Sequence, residues 1–121
     1  MDLSKSKNKG TNFESLIKNY FIEQGFDADR QVLSGAKDVG DIKVYGIDAV
    51  FELKNCVKLN LSGWIEETEV ERQNAGRRFG FSVFKRKGKG SACDQYALMP
   101  LSTLVELLKE VFPESWHEPP Q

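Results

Sequence analysis

Asp41-Ile42-Lys43-Val44-Tyr45-Gly46-Ile47-Asp48-Ala49-Val50-Phe51-Glu52-Leu53-Lys54 is the stretch on which the fold of this chain turns. Ile42 and Val44 before Gly46, and Ala49, Phe51 and Leu53 after it, alternate with polar or small residues, which predicts a β-hairpin with one buried face. With the turn centred on Gly46 and Ile47, Ile42 faces Phe51, Val44 faces Ala49, Lys43 faces Val50 and Asp41 faces Glu52. A slip by one residue would set Asp41 against Leu53 and mix the two faces, which a half-buried sheet resists. Opposed Cβ atoms lie about 5 Å apart, so two carboxylates there can share one divalent cation and repel each other without it. Lys54 follows Glu52 by two and projects from the same face. Two convergent carboxylates and a lysine suit a hard, oxygen-preferring ion such as Mg²⁺. The plainer alternative is a solvent-facing hairpin in which Glu52 pairs with Lys43 or Lys54, worth under about 1 kcal/mol.

Upstream of the hairpin, Phe13, Leu16, Ile17, Tyr20 and Phe21 recur at helical spacing and Gly25 supplies a stop, predicting a helix over 11–24. A short strand over 28–33 and a glycine-containing loop over 34–40 follow. Residues 1–10, with Lys5, Lys7 and Lys9, read as a flexible basic arm. Downstream, 55–62 is a connection, and 64–78 reads as a mostly polar helix ending near Gly76 or Gly80. Strands over 81–85 and 95–99 flank a basic loop. Leu101, Leu104, Val105, Leu108, Val111 and Phe112 form the clearest amphipathic helix, with Pro100 at its start and Pro113 at its end. Residues 113–121 are an acidic, proline-containing tail. The order α-β-β-β-α-β-β-α, without internal repeat, predicts one α/β domain over 11–112 with a mixed central sheet flanked by helices.

Composition narrows the chemistry. At 121 residues the chain supports one core and not two, and with 40% hydrophobic residues and eight Phe it is globular. Its single histidine, His117, lies in the tail, which excludes a Ser-His-Asp triad, a Cys-His nucleophile pair and a histidine-metal nuclease. Cys56 and Cys93 cannot assemble a four-ligand zinc site, so catalysis must run on carboxylates and lysines. The polar N-terminus and unpaired cysteines predict an intracellular, cytoplasmic protein, and no apolar run approaches the roughly 20 residues that span a bilayer. Net charge is −1, yet seven basic residues and no acidic one lie between Arg72 and Cys93. Lys85, Arg86, Lys87 and Lys89 of the loop, with Lys9 of the arm, are therefore the expected contacts to nucleic-acid phosphates. A solubilising hairpin tip is the alternative.

Gly40-Asp41-Ile42, followed after eleven residues by Glu52-Leu53-Lys54, resembles the D…(D/E)xK signature of the PD-(D/E)xK nuclease superfamily, with Gly in the first position. Gly10-Thr11-Asn12-Phe13-Glu14 is similar to the G-x-x-x-E helix start of archaeal and phage Holliday junction resolvases in that superfamily. The Lys85–Gly90 loop and the closing Met-Pro-Leu helix are also similar to phage resolvase-like members. The resemblance implies a restriction-endonuclease-like α-β-β-β-α-β core and a Mg²⁺-dependent DNA endonuclease, with Mn²⁺ able to substitute. It also implies action as a homodimer on branched DNA such as a four-way junction, in a host cytoplasm if phage-encoded, with no membrane partner. It implies Glu14, Asp41, Glu52 and Lys54 as catalytic residues, and Asp41, Glu52 and the Leu53 carbonyl as metal ligands. Gln73 is a possible helper near the lysine. Archaeal resolvases commonly place arginine after the helix glutamate, where this chain has Ser15, and Lys18 one turn on is a candidate substitute. The alternatives are a nuclease of the same fold acting on a nick, flap or modified duplex, and a DNA-binding accessory protein that does not cut.

Overall fold

The computed structural model describes residues 3–31 and 40–113, with side chains from residue 12 onward. The elements are α1 (Leu3–Glu23), β1 (Ala28–Arg30), β2 (Ile42–Val44), β3 (Ala49–Lys54), α2 (Leu61–Ala75), β4 (Phe79–Phe84), β5 (Tyr96–Leu98) and α3 (Leu101–Val111). Their order is the one expected. They form an α/β arrangement in which an open five-stranded sheet, ordered β1-β2-β3-β4-β5, is flanked by helices. β1/β2, β2/β3 and β4/β5 are antiparallel and β3/β4 is parallel, the two central strands being connected through α2. No helix among the described residues is long and apolar enough to cross a membrane.

The hairpin has the register derived from its hydrophobic pattern, with Ile42 opposite Phe51. One end departs from it. Asp41 is not in regular ladder pairing with Glu52: its N–H donates to the Phe51 carbonyl at 2.8 Å, and its own carbonyl accepts from Gln31 at 2.7 Å. The cause is Gly40, whose φ is +100° and whose place would bring an added Cβ to 2.7 Å from Val50 Cγ1. The chain enters β2 through a left-handed residue packed against β3. That conformation also excludes proline, which is locked near φ −65°.

Alternation along β3 builds two layers. Phe51 and Leu53, with Ile42, Val44, Ala28 and Ala49, meet Phe13 and Ile17 of α1 in the main core. Each of the larger apolar side chains among these contributes about 1.5–3 kcal/mol when fully buried. Val50 and Glu52 point to the opposite face, where α2 lays Trp64, Thr68 and Glu71, all buried. Thr68 Oγ1 and Ser82 Oγ are 2.6 Å apart, and Ser82 also donates to the Trp64 carbonyl at 3.3 Å. Trp64 packs on Phe84 with centroids 5.4 Å apart, so it serves the core.

Boundaries shift where capping decides them. α2 starts at Leu61, not 64, because Asn60 Oδ1 accepts from Gly63 N at 3.2 Å. It ends at Ala75, not 78, because Gly76 adopts the left-handed cap conformation with φ 64°. β1 ends at Arg30 and the later strands are Phe79–Phe84 and Tyr96–Leu98. α1 begins at Leu3, so the backbone of 3–10, expected as a flexible arm, is helical and Gly10 lies inside the helix. One interior glycine costs about 1 kcal/mol, which neighbouring helix formers offset. The 34–39 loop and most of the 113–121 tail, with His117, lie outside the described residues.

The apolar stripe of α3 is the largest departure from expectation. Leu101, Leu104, Val105, Leu108, Val111 and Phe112 are all exposed, whereas Leu107, off that stripe, is half-buried. Arg78 ties α3 to the start of β4, reaching Glu110 at 2.6 Å and Glu106 at 3.4 Å.

Candidate active site

Asp41 and Glu52 come together although the ladder breaks between them. Glu52 lies on the α2 face of β3 and is buried, and Asp41 is half-buried at the entrance to β2. Leu53 N–H donates to Asp41 Oδ2 at 2.8 Å, which turns the Asp41 carboxyl toward β3. Burial and the Glu52 charge push Asp41 up from the ordinary 3.8 to about 7; the Leu53 amide opposes this, while Glu14 and a hydrogen bond with Glu52 add to it. Two carboxyls that share a hydrogen bond at a desolvated position are an arrangement that a divalent cation relieves. Their donors are all oxygens, the kind that hard divalent cations take.

Lys54 completes the cluster. Its Nζ lies 3.4 Å from Glu52 Oε1 and 2.5 Å from Glu67 Oε2. Burial lowers its pKa, but the hydrogen bond to Glu67 and the charges of Glu52 and Glu67 outweigh that, so it stands above an ordinary lysine. Its ammonium is placed to donate hydrogen bonds within the cluster.

Glu14 approaches from α1. Its charge reaches Asp41, and its Oε2 accepts from Arg30 Nε at 2.8 Å. Arg30, Lys18 and Lys43 line a cleft of about 470 Å³ beside this pair. Thus Glu14, Asp41, Glu52 and Lys54 belong to one neighbourhood. Lys18, considered for the role that Ser15 leaves open, shares its cleft with Arg30. The Leu53 side chain is in the core, and its backbone N–H is committed to Asp41.

Gln73 is elsewhere. It is exposed and reaches Glu69 at 3.5 Å, because its position on α2 is about 200° round the helix from Glu71. Glu67 and Glu71 take the place proposed for it: with Glu52 they put one oxygen each within 4.8 Å of one another, a set that could hold a metal ion. The signal was legible in part, since Trp64, Thr68 and Glu71 share a helical face and Glu67 precedes Glu71 by one turn. Arg30 gave no such signal; only the packing of α1 on β1 brings it to Glu14.

The basic loop divides into two pairs. Lys85 Nζ donates to the Arg86 carbonyl at 2.7 Å and also to the Lys89 carbonyl, closing the loop on itself. Arg86 donates to the Asp94 carbonyl at 3.0 Å and lies over the Tyr96 ring, 4.2 Å from its centroid. The Lys87 and Lys89 side chains are exposed. Lys9 belongs to α1, and its side chain lies outside the described residues. Cys56 and Cys93 are exposed, free thiols. No family model, curated protein or solved structure matches the chain.

Proposed function

We propose that the chain is a metal-dependent DNA endonuclease with a restriction-endonuclease-like core, resolvase-like in acting on branched DNA as a homodimer. The observation that carries this reading is the Asp41–Glu52 carboxyl pair with Lys54 Nζ 3.4 Å from Glu52 Oε1. Asp41 and Glu52, with the Leu53 carbonyl, would hold Mg²⁺ or Mn²⁺, which when bound neutralises phosphate charge and acidifies a water. Lys54 donates hydrogen bonds to the oxygen on which charge develops as the phosphodiester is attacked. Arg30, fixed by Glu14, supplies a cation at the edge of the same site, in keeping with the arginine that follows the helix glutamate in the resolvases the chain resembles. Lys87 and Lys89 contact phosphates further along the DNA. The exposed apolar stripe of α3 supports self-association, and two nicks in a four-way junction need two such sites.

The test is a panel of labelled four-way junction, flap, nicked and linear duplex DNA with purified protein and Mg²⁺. Cutting should appear with Mg²⁺ or Mn²⁺, vanish in EDTA, and be abolished by Asp41→Asn or Glu52→Gln while DNA binding stays within a few fold. Absence of cutting on every substrate, or unchanged cutting by either variant, overturns the reading.

A further inference from the structure

The two central strands β3 and β4 run parallel and end side by side, Lys54 opposite Phe84. In open α/β sheets the crevice beyond the carboxyl ends of parallel strands is where ligands gather. Here that position holds a cleft of about 750 Å³, within the range of about 300–1,000 Å³ typical of small-ligand sites. It begins at Asn55, the residue after Lys54, and thus adjoins the candidate active site.

Its walls are of two kinds. Apolar surface comes from Val57 and Leu59, which are 97% and 59% exposed, and from Phe84 and Tyr96, whose rings meet edge-to-face at 5.7 Å. Charge comes from Lys85, Arg86 and Lys87, and among the described residues no carboxylate lines the cleft. The Arg86 guanidinium on Tyr96 makes a flat cationic and aromatic platform whose ring is half exposed. A flat apolar group carrying a negative charge fits such walls. A nucleobase in a duplex is already stacked and cannot enter, whereas an unpaired one can stack on an aromatic or guanidinium plane while its phosphate meets the cations.

We infer that this cleft receives one unpaired nucleotide of the DNA, next to the strand position that Lys54 serves. The inference rests on reading the chain as a DNA-acting protein, and it gives a physical basis for choosing branched or interrupted DNA over continuous duplex. Capture of an unpaired base marks the places where stacking is already broken.

The experiment measures binding of the full chain, in Ca²⁺ so that cutting is suppressed, to two duplexes of equal length. One is fully paired, and the other carries a single unpaired nucleotide bearing a fluorescent adenine analogue. The second should bind about tenfold or more tightly, with the analogue's emission quenched on binding. Tyr96→Ala should remove the preference and the quenching, and Tyr96→Phe should keep both. Val57→Asp, at a fully exposed loop position that folding does not use, should weaken the unpaired substrate selectively. Equal affinity of the wild type for both duplexes, or equal loss on both in Tyr96→Ala and Val57→Asp, overturns the inference even if Mg²⁺-dependent cutting is found. Selective capture without cutting on any substrate leaves the inference standing and removes the nuclease reading alone.

Discussion

Lys54 Nζ lies 2.5 Å from Glu67 Oε2, an ion pair joining the end of β3 to the second turn of α2. Under the nuclease reading this pair aims the ammonium. Lys54→Ala should therefore eliminate turnover. Glu67→Gln, which keeps an acceptor but loses the charge, should lower kcat about tenfold, roughly 1.4 kcal/mol, with KM little changed. Single-turnover kinetics on the best substrate of the panel measures the split. A Glu67→Gln protein with full kcat would show that the pair is incidental.

Asp41 makes stability pH-dependent. Its pKa in the folded chain is about 7, above the ordinary 3.8, so the native state binds more protons than the unfolded state between those values. Stability falls wherever that holds. The contribution is thus fully present below about pH 4 and is lost as pH rises through about 7. In metal-free buffer, the melting temperature of the wild type relative to Asp41→Asn should decline across that window. A constant difference would mean that Asp41 ionises as in the unfolded chain.

Gly40 sets the approach of Asp41 to β3. Gly40→Ala brings a Cβ against Val50 at a positive φ, and should destabilise by about 2 kcal/mol or more. Gly40→Pro, despite matching the usual signature, should be worse because its ring cannot adopt that angle. Chemical denaturation measures both. Equal stability of Gly40→Pro and wild type would refute the turn geometry.

The loop cations should separate by role. Lys87→Ala with Lys89→Ala should weaken binding to all DNA and flatten the dependence of log K on log salt by up to about 0.9 per lost contact, leaving stability unchanged. Lys85→Ala removes the donor that closes the loop, and should cost about 1–2 kcal/mol of stability besides. Salt titrations paired with thermal melts distinguish the two. Identical profiles for Lys85→Ala and the Lys87/Lys89 pair would return the loop to a uniform basic patch.

α3 should hold two copies together. Sedimentation at micromolar concentration should give about twice the chain mass of 13.7 kDa. Leu104→Glu with Leu108→Glu, both on the exposed stripe, should give the monomer without loss of fold. Mixing wild-type with Glu52→Gln chains should convert paired cuts into nicks. A wild-type monomer that still cuts junctions in pairs would refute this assembly.

The hairpin was legible because its two faces have different chemistry: only one register keeps Ile42 and Phe51 together. The element order followed from the same contrast between period-two and helical spacing. What escaped was set by geometry that periodicity does not encode. The left-handed Gly40 breaks the ladder at Asp41, so the two carboxyls meet through a side-chain turn, not as a regular cross-strand pair. Amphipathicity showed that the α3 stripe needs a cover, but not that the cover is missing from the sheet of its own chain. Glu67 and Arg30 depend on contacts between elements far apart in sequence, which a one-dimensional pattern cannot carry.

β3 lies between β2 and β4 within the sheet and between α1 and α2 across it, and Ala49 through Leu53 are buried. Its amides should therefore exchange with solvent only when the whole domain opens, making it the last segment to gain deuterium. Glu52 and Lys54 ride on that strand, whereas α3 and the 55–60 connection lie outside it. Two of the groups proposed for chemistry thus stand on the least yielding of the described segments, and the adaptation needed to embrace an irregular substrate falls to the periphery.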